Sequence, residues 1–573
     1  MGSLILAISM TIAFCSHFGA TASSASRRSR ARATVEPENL QQQKSMFMRP
    51  TDPQQQLRLA LKHALGAGHG VPEEEMRTIQ AKLRSTWNSL PKTAQGNVDR
   101  KSLCYVVHRF FRQAYGISIA GLEPMAAYKN KEELELLAGF APDYVRTVLQ
   151  GETARDGFTI EDGVAMIVML EHLISDSGSD ELEELYRKHD WLDEDLDILD
   201  LTDLLEDYML RWIVSMDPRA LRLAEKDPER LRENIGEWNY MSALINGTLM
   251  NFVHLRDLDV RQSGDARAGM RAMERLFSFE EAQALMSDVT RGFGSYWSPE
   301  CGVVKAKLRK MDSGHTGRVP ISTFYDAALQ GEWRFSESQE YLQVQGALDN
   351  SSSAHGPRVI ISNYLQSSSN CIVTREHFAV CCPNECEAYM DWLEEGIGAP
   401  TAGPELILAL VGELLTELDE DGGQVSETLQ AQLRSIAAAS NGQVPLHGRL
   451  FSQWLHYVFP YDCPFPHLAG TAKAMSPLEF GKSSLATRSE MLQHRQTFAE
   501  YAKKNISTAT DEEWMTMWNH EEELVAEYLH LRAPWESRGY FTLKLALGIA
   551  ALVCMAGVGQ GLGQGLGQGL GQG

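Results

Sequence analysis

The sequence is poor in basic residues relative to acidic ones. Its 573 residues include 53 lysines and arginines against 76 aspartates and glutamates, so the formal net charge is -23. A protein that binds a nucleic-acid backbone draws its affinity from clustered lysine and arginine. The charge balance therefore predicts no nucleic-acid partner, and it suits a solvated acidic surface.

The motifs of the common cofactor-dependent enzymes are also absent. The sequence contains no Walker loop, no Gly-x-Ser-x-Gly elbow, no dinucleotide fingerprint and no protein-kinase signature. Residues 520–524 fail the zinc-protease pattern, because Leu524 stands where the second histidine ligand is needed. These absences favour a binding or scaffold protein over an enzyme.

The composition is that of a globular protein with several lobes. Apolar residues make up 43% of the chain and charged residues 23%, which indicates neither wholesale disorder nor a multi-span membrane protein. A chain of this length exceeds what one core usually supports, so about three or four lobes of ordinary domain size are expected.

Apolar residues are concentrated at both ends of the chain. Near the N-terminus, the stretch from Leu4 to Phe14 and the small residues around Ala22 predict a signal peptide over residues 1–25. Because no positive charge precedes this stretch, an uncleaved signal anchor and a chance apolar terminus are alternatives. A basic and then glutamine-rich composition predicts a disordered linker over residues 26–73. A two-part plastid targeting sequence would have the same order.

The second apolar segment covers residues 540–558. It is close to the roughly 20 residues that cross a bilayer, and Lys544 near its start can extend to the interface. A buried terminal helix is less favoured, because only a Gly-Leu-Gln tail follows over residues 559–573. We therefore expect one C-terminal membrane helix and a luminal or extracellular body.

Most cysteines outside these two ends lie close together in the sequence. The disulfide candidates are Cys371, Cys382, Cys386 and Cys463, since a luminal body permits pairing. A zinc site is a second interpretation, although the spacing matches no standard finger. Redox chemistry comes third, because no Cys-x-x-Cys pair precedes a helix start. The connectivity cannot be read from the sequence.

A Gly-x-Val step recurs between segments with helical periodicity. It is found at Gly96, Gly317, Gly423 and Gly442, with a looser copy at Gly157. An EF-hand loop needs glycine at its sixth position for a sharp turn. Its eighth position is typically a branched apolar residue that bridges to a partner loop. The copy in residues 308–325 has apolar residues at helical spacing on both sides, and it resembles the EF-hand family.

The likeness extends beyond single loops. The stretch from Thr86 to Trp518 is similar to uncharacterised EF-hand-containing proteins of algae and other protists, notably around residues 369–371, 381–387, 444–450 and 463–467. This resemblance implies a mostly α fold of several EF-hand-like helix-loop-helix lobes, with short strands that bridge the loops. It carries no known activity.

Most calcium ligands are missing from the clearest loop. Calcium needs side-chain oxygens at positions one, three and five, a carbonyl at seven and a bidentate glutamate at twelve. Counted from Asp312, those later positions hold Gly314, Thr316, Arg318 and Thr323, so one carboxylate remains. Weak calcium binding at most is expected, through Asp312, Thr316 and the carbonyl of Arg318.

A second candidate calcium site follows the apolar helix pattern of residues 406–418. It offers the carboxylates of Asp419, Asp421 and Glu427, but its loop is one residue short in the EF-hand frame. A solvated helix boundary is the favoured interpretation. Residues 193–197 also alternate acidic side chains, but they lack a turn glycine and predict the start of a helix that runs to Trp212.

These patterns predict an EF-hand-like lobe over residues 74–217 and a helical lobe over 218–330 that contains loop 312–323. A cysteine-containing EF-hand-like lobe over 331–470 and a helical or linker region over 471–539 follow. We expect a membrane-anchored binding or scaffold protein of the secretory pathway, with weak or absent calcium binding. The alternative is a cysteine- or zinc-dependent enzyme centred on Cys381 to His467.

Overall fold

The computed structural model describes residues 73–122, 157–192, 194–235, 238–263, 276–331, 334–351, 356–375, 378–418, 424–504, 515 and 517–525. The predicted signal peptide, the predicted linker up to residue 72, the predicted membrane helix over 540–558 and the tail over 559–573 lie outside these residues. Among the helices within them, none combines the length and the apolar character of a bilayer span.

The described chain is mostly helical, which confirms the predicted fold class at that level. The helices are α1 (Glu73–Ser89), α2 (Arg100–Tyr115), α3 (Ile160–His189), α4 (Ile198–Val214), α5 (Pro218–Lys226), α6 (Pro228–Ile235), α7 (Trp238–Ser263), α8 (Phe279–Met311), α9 (Ile321–Leu329), α10 (Gln339–Val344), α11 (Ile361–Gln366), α12 (Cys386–Ile397), α13 (Pro404–Glu417), α14 (Glu427–Ala439), α15 (Arg449–Val458), α16 (Pro477–Phe480) and α17 (Arg488–Lys504). The strands are β1 (Ile117–Ile119), β2 (Arg318–Pro320), β3 (Leu348–Asp349), β4 (Arg358–Ile360), β5 (Ile372–Arg375), β6 (Phe378–Val380), β7 (Thr401–Ala402) and β8 (Val444–Pro445).

Short polar side chains fix where several helices begin. The carboxylate of Asp99 accepts a hydrogen bond from a backbone N–H in the first turn of α2. Thr159 and Ser278 begin α3 and α8 with capping boxes, and Asp197 caps α4. Such caps satisfy N–H groups that have no partner within the helix. The described acidic residues 194–197 therefore lead into a helix, which begins at Ile198 and ends at Val214.

An apolar residue just before each of these caps pairs with another loop. Within the described residues, antiparallel pairings join Val98 with Phe158, Leu196 with Phe277, Val319 with Val359, and Ala402 with Val444. A helix begins within a few residues after every one of these positions. Each pairing therefore joins two segments that lead into helices. The pairings of Leu196 with Phe277 and of Val319 with Val359 cross the predicted lobe boundaries at residues 217 and 330.

The glycines of the clearest Gly-x-Val steps lie in loops between two helices. Gly96, Gly317 and Gly442 have φ values of 83°, 72° and 81°. They lie between α1 and α2, α8 and α9, and α14 and α15 respectively. Residues with a Cβ rarely adopt this left-handed conformation. Each glycine therefore makes the turn that lets the residue two positions later pair with another loop.

The described apolar side chains form one large core and smaller ones. The largest unites α1 to α4 with α7, α8 and the hairpin of β5 and β6, and Phe111 and Phe293 are fully buried in it. A second core around Trp454 holds α12 to α15, and a third around Phe324 joins the end of α8 to α9, α10 and α11. Because β1 pairs with β6, the chain after α2 is bound to the cysteine-containing hairpin.

Candidate functional site

Asp312, the remaining carboxylate of the clearest loop, closes that loop internally. Its Oδ1 accepts a hydrogen bond from the Gly314 amide at 3.2 Å, and its Oδ2 accepts one from the Gly317 amide at 2.7 Å. The Tyr461 hydroxyl donates to the same Oδ2 at 3.1 Å. Asp312 is 3% exposed. Its oxygens are therefore occupied by protein donors.

Two arginines, one from each paired loop, converge on one aspartate. Arg318 and Arg358 come directly before the pairing valines of β2 and β4. Arg318 Nε and an Arg358 amino group each donate to Oδ2 of Asp349 at 2.9 Å. Arg318 also donates to the carbonyl of Thr316 at 3.1 Å. We call these three charged residues the arginine-aspartate cluster.

The arginine-aspartate cluster is buried and electrostatically coupled. The side chains of Arg318, Asp349 and Arg358 are 0%, 0% and 9% exposed. Burial by itself would raise the pKa of Asp349, but the two guanidiniums hold that pKa below its ordinary value. Protein cations thus lie between the paired loops. The Arg318 side chain, to which the ligand pattern assigns no role, gives this loop a buried positive charge.

The second predicted calcium site falls only partly within the structure. Asp419 and Asp421 lie outside the described residues. Glu427 is exposed in the first turn of α14, where Ser426 caps the helix. A carboxylate at this place stabilises a helix through the macrodipole. Among the residues that the structure describes, no group of three or more histidine, cysteine or acidic side chains is arranged to hold a metal ion.

The predicted disulfide candidates all lie in disulfides. The described pairs are Cys301–Cys382, Cys371–Cys381 and Cys386–Cys463, with Cα separations of 5.7, 4.1 and 4.6 Å. They join α8 to the segment after β6, the two sides of the hairpin, and α12 to the segment after α15. The sequence pattern does not single out Cys301 or Cys381 as disulfide candidates, because the pairing depends on how the helices pack.

The remaining groups of the predicted cysteine-histidine centre are engaged elsewhere. A ring nitrogen of His467 lies 2.7 Å from the carbonyl of Gly346, and one of His456 lies 2.7 Å from the carbonyl of Cys463. Burial lowers the pKa of His456 to about 3, so this imidazole is neutral. The buried thiol of Cys104 is unoxidised, and burial raises its pKa to about 11.

A buried carboxylate that the sequence pattern does not reveal links the first loop pair, at Val98 and Phe158, with the last loop pair, at Ala402 and Val444. Glu394 of α12 accepts hydrogen bonds from Arg109 of α2 at 2.6 Å and from Thr86 of α1 at 2.8 Å. His447 Nε2 lies 2.8 Å from Glu394, and Arg109 also pairs with Asp391 at 2.7 Å. Burial opposes ionisation of Glu394, but Arg109 and His447 lower its pKa to about 2.

A cleft of about 550 Å³ lies beside Glu394, between α1, α2 and the start of α12. The charged and amide side chains that line it include Lys82, Arg112, Gln113, Asn384, Glu387 and Asp391. Burial raises the pKa of Glu387. Among the described residues of the lining there is neither a cysteine nor a histidine. The cleft therefore offers polar contacts of both charge signs to a ligand.

Nothing in sequence marks Glu394 as a partner of α1 and α2. Its hydrogen-bond partners Arg109 and Thr86 are 285 and 308 residues away along the chain.

Comparison with family models, with curated proteins and with solved structures returned no match to this chain.

Proposed function

We propose that the chain is a binding scaffold of the secretory pathway, built from degenerate EF-hand-like units and anchored by a helix over residues 540–558. In this proposal the helix pairs present binding surfaces, and calcium binding is weak or absent. One observation carries it. In the loop of Asp312 and the loop that pairs with it, the carboxylates accept hydrogen bonds from protein amides, a hydroxyl and guanidiniums.

The loop geometry supports the EF-hand-like part of the proposal. Gly317 at the sixth position turns the chain, and Val319 at the eighth pairs with Val359 of the next loop. The same spacing relates Gly96 to Val98 and Gly442 to Val444. A short antiparallel contact between two loops, each followed within a few residues by a helix, is the arrangement expected of paired EF-hand-like units.

The charge distribution supports weak calcium binding. Asp312 already accepts two amides and a hydroxyl, and positions three and twelve hold Gly314 and Thr323. The guanidiniums of Arg318 and Arg358 lie next to the paired backbone segments. A divalent cation in this loop would meet their repulsion in a poorly screened interior.

The disulfides support a secretory compartment. Disulfides persist in oxidising compartments and are rare in the cytosol. The same bonds reduce the support for the alternative, a cysteine- or zinc-dependent enzyme centred on residues 381–467. Each cysteine of that range is half of a disulfide and has no thiolate to offer as nucleophile or ligand.

Calorimetric titration of the chelator-treated full chain with calcium tests the central claim. A site with a Kd of about 10 µM would stabilise the fold by about 2.7 kcal/mol at about 1 mM calcium, whereas a Kd of about 1 mM gives about 0.4 kcal/mol. We expect the smaller effect in thermal unfolding and no saturable heat in the micromolar range. The Asp312→Asn variant is the matched control. Micromolar binding that this substitution abolishes would refute the proposal.

Membrane extraction tests the anchor. The full chain, expressed in a secretory system, should remain with membranes after alkaline carbonate treatment, and deletion of residues 540–558 should release it. Disulfide formation in the released form serves as the control for entry into an oxidising lumen. Release of the unaltered chain by carbonate would contradict the membrane anchor, and fully reduced cysteines would contradict the luminal body.

A further inference from the structure

Residues 517–525, which we call the strap, lie across the start of α15. Met517 and Trp518 pack against the core around Trp454, and the Trp518 ring lies 6.0 Å from that of Tyr457. The rest of the strap forms no helix, and Leu524 pairs with Gly448 in antiparallel fashion. A segment more than 50 residues away in the sequence therefore packs against the first turn of α15.

The body of the protein contacts the strap backbone at alternate residues. The Gln453 side-chain amide makes two hydrogen bonds with the backbone of Asn519, of 2.9 and 3.2 Å. Arg449 donates from Nε to the Glu521 carbonyl at 2.9 Å and from its own amide to the Glu523 carbonyl at 2.9 Å. The Val525 amide donates to the carbonyl of His447 at 3.1 Å. A period of two residues is that of an extended segment whose backbone faces its partner along one side.

Two strap side chains also form hydrogen bonds with the first turn of α15. The Arg449 guanidinium donates to the side-chain oxygen of Asn519. Glu522 Oε1 accepts the Leu450 amide at 3.0 Å, in the first turn of α15. Gly448 at the N-cap has no side chain that could do this, and a Cβ there would lie 3.0 Å from the Glu522 carboxylate. The first turn of α15 is thus capped by a carboxylate from another segment.

The strap also supplies most of the partners of two buried polar side chains. Arg449 and Gln453 are each 0% exposed. Apart from the carbonyl of Pro466 at 3.2 Å, the described hydrogen bonds of the Arg449 guanidinium go to the strap. A buried guanidinium or amide without partners is unfavourable. The groove around Arg449 and Gln453 therefore requires an occupant that presents backbone carbonyls and a side-chain amide oxygen, and the Leu450 amide beside it donates to a carboxylate of that occupant.

We propose that this groove is a recognition site for an extended acidic peptide, and that the strap occupies it as an internal ligand. The partner would be a protein segment that presents an asparagine and, three residues later, a glutamate on an extended backbone. This inference rests on the proposed binding-scaffold function and names a class of partner for it. Binding of such a partner displaces the strap.

Exchange of the strap in the full chain tests the inference. The double substitution Asn519→Ala and Glu522→Gln weakens the internal strap, and the probe is a labelled synthetic peptide with the sequence of residues 515–525. The substituted chain should bind this peptide at least about tenfold more tightly than the unaltered chain, whose groove is already occupied. Fluorescence anisotropy provides the measurement.

The matched control separates recognition from net charge. A peptide with Glu522→Gln should bind about tenfold more weakly, whereas Glu521→Gln should change affinity little, because the exposed Glu521 meets the groove through its backbone carbonyl. Equal losses from both peptides would overturn the proposed recognition. So would a folded double variant that does not bind the peptide.

If the double variant does not fold, hydrogen exchange of the unaltered chain decides. The amides of Leu450 and Val525 should then exchange through local release of the strap, faster than the amides in the core around Trp454. If these amides exchange only when the whole protein unfolds, the strap is a permanent part of the body and the proposal is overturned. Tight calcium binding would refute the calcium-independent scaffold without altering either peptide result.

Discussion

Replacement of Asp349 by asparagine tests whether protein charges hold the paired loops together. The substitution keeps the shape and one oxygen acceptor of the side chain but removes its charge. Arg318 and Arg358 would then remain buried, each with an amide oxygen in place of the carboxylate that both contact at 2.9 Å. We therefore expect β2 and β4 to separate more readily.

The expected loss of stability follows from the burial of the arginine-aspartate cluster. Removal of one partner from a buried ion pair typically costs about 3–5 kcal/mol, because an uncompensated charge is left behind. The asparagine oxygen still accepts a hydrogen bond, so we expect about 3 kcal/mol for Asp349→Asn. Addition of Arg318→Met should recover about 1 kcal/mol or more, because two residues in contact are not additive.

Hydrogen exchange of the β2 and β4 amides provides the assay, since it reports local opening in a chain with several cores. The control is Arg434→Gln, which breaks the exposed pair of Arg434 with Glu405. It should leave the protection of β2 and β4 unchanged. If Asp349→Asn changes that protection by less than about 0.5 kcal/mol, the buried charges do not hold the loops and the reasoning is wrong.

Three further predictions concern other contacts. Because the pKa of Glu394 is depressed to about 2, its contribution to stability should be complete above about pH 4.5 and be lost as the pH falls towards 2. The stability of the Glu394→Gln variant should therefore fall less steeply with decreasing pH than that of the unaltered protein in acid unfolding experiments. Gly317→Ala should cost about 1–3 kcal/mol more than Gly442→Ala in unfolding experiments, because its Cβ would lie 2.6 Å from a carbonyl oxygen whereas the space beside Gly442 is open. Serine at both Cys386 and Cys463 should lower stability by about 2–4 kcal/mol under oxidising conditions and have no effect under reducing ones.

Local features of the loops were predictable, and their pairing was not. The need for a left-handed residue identifies Gly96, Gly317 and Gly442 as turns between helices, because no other residue type adopts that conformation as readily. The loops at Leu196 and Ala402 pair without a preceding glycine of this kind, so the pattern misses them. Which loop pairs with which depends on contacts between helices, and spacing alone contains no such information.

The candidate sites show the same limit. Reading Arg318 as the seventh loop position predicts only a carbonyl ligand, because the EF-hand frame assigns no role to the side chain there. Its partner Asp349 is 31 residues away, beyond any local pattern. The strap shows this limit more clearly. Residues 520–524 fail the zinc-protease pattern, and two of their acidic side chains have structural roles instead: Glu522 caps α15, and Glu523 accepts the Ala469 amide at 2.9 Å. Tertiary contacts give these charges their roles.

The strap and the buried carboxylate meet at one residue, His447. Its carbonyl accepts the Val525 amide, and its ring nitrogen lies 2.8 Å from Glu394, which in turn bonds to Arg109 of α2. An ion-responsive helix pair would need an open loop, whereas the loop of Asp312 is closed by its own amides. In the scaffold proposed here, the strap is held by polar contacts with Arg449, Leu450 and Gln453 and by the packing of Trp518. We therefore propose that occupancy of its groove, rather than calcium, alters the contact between the first and last loop pairs.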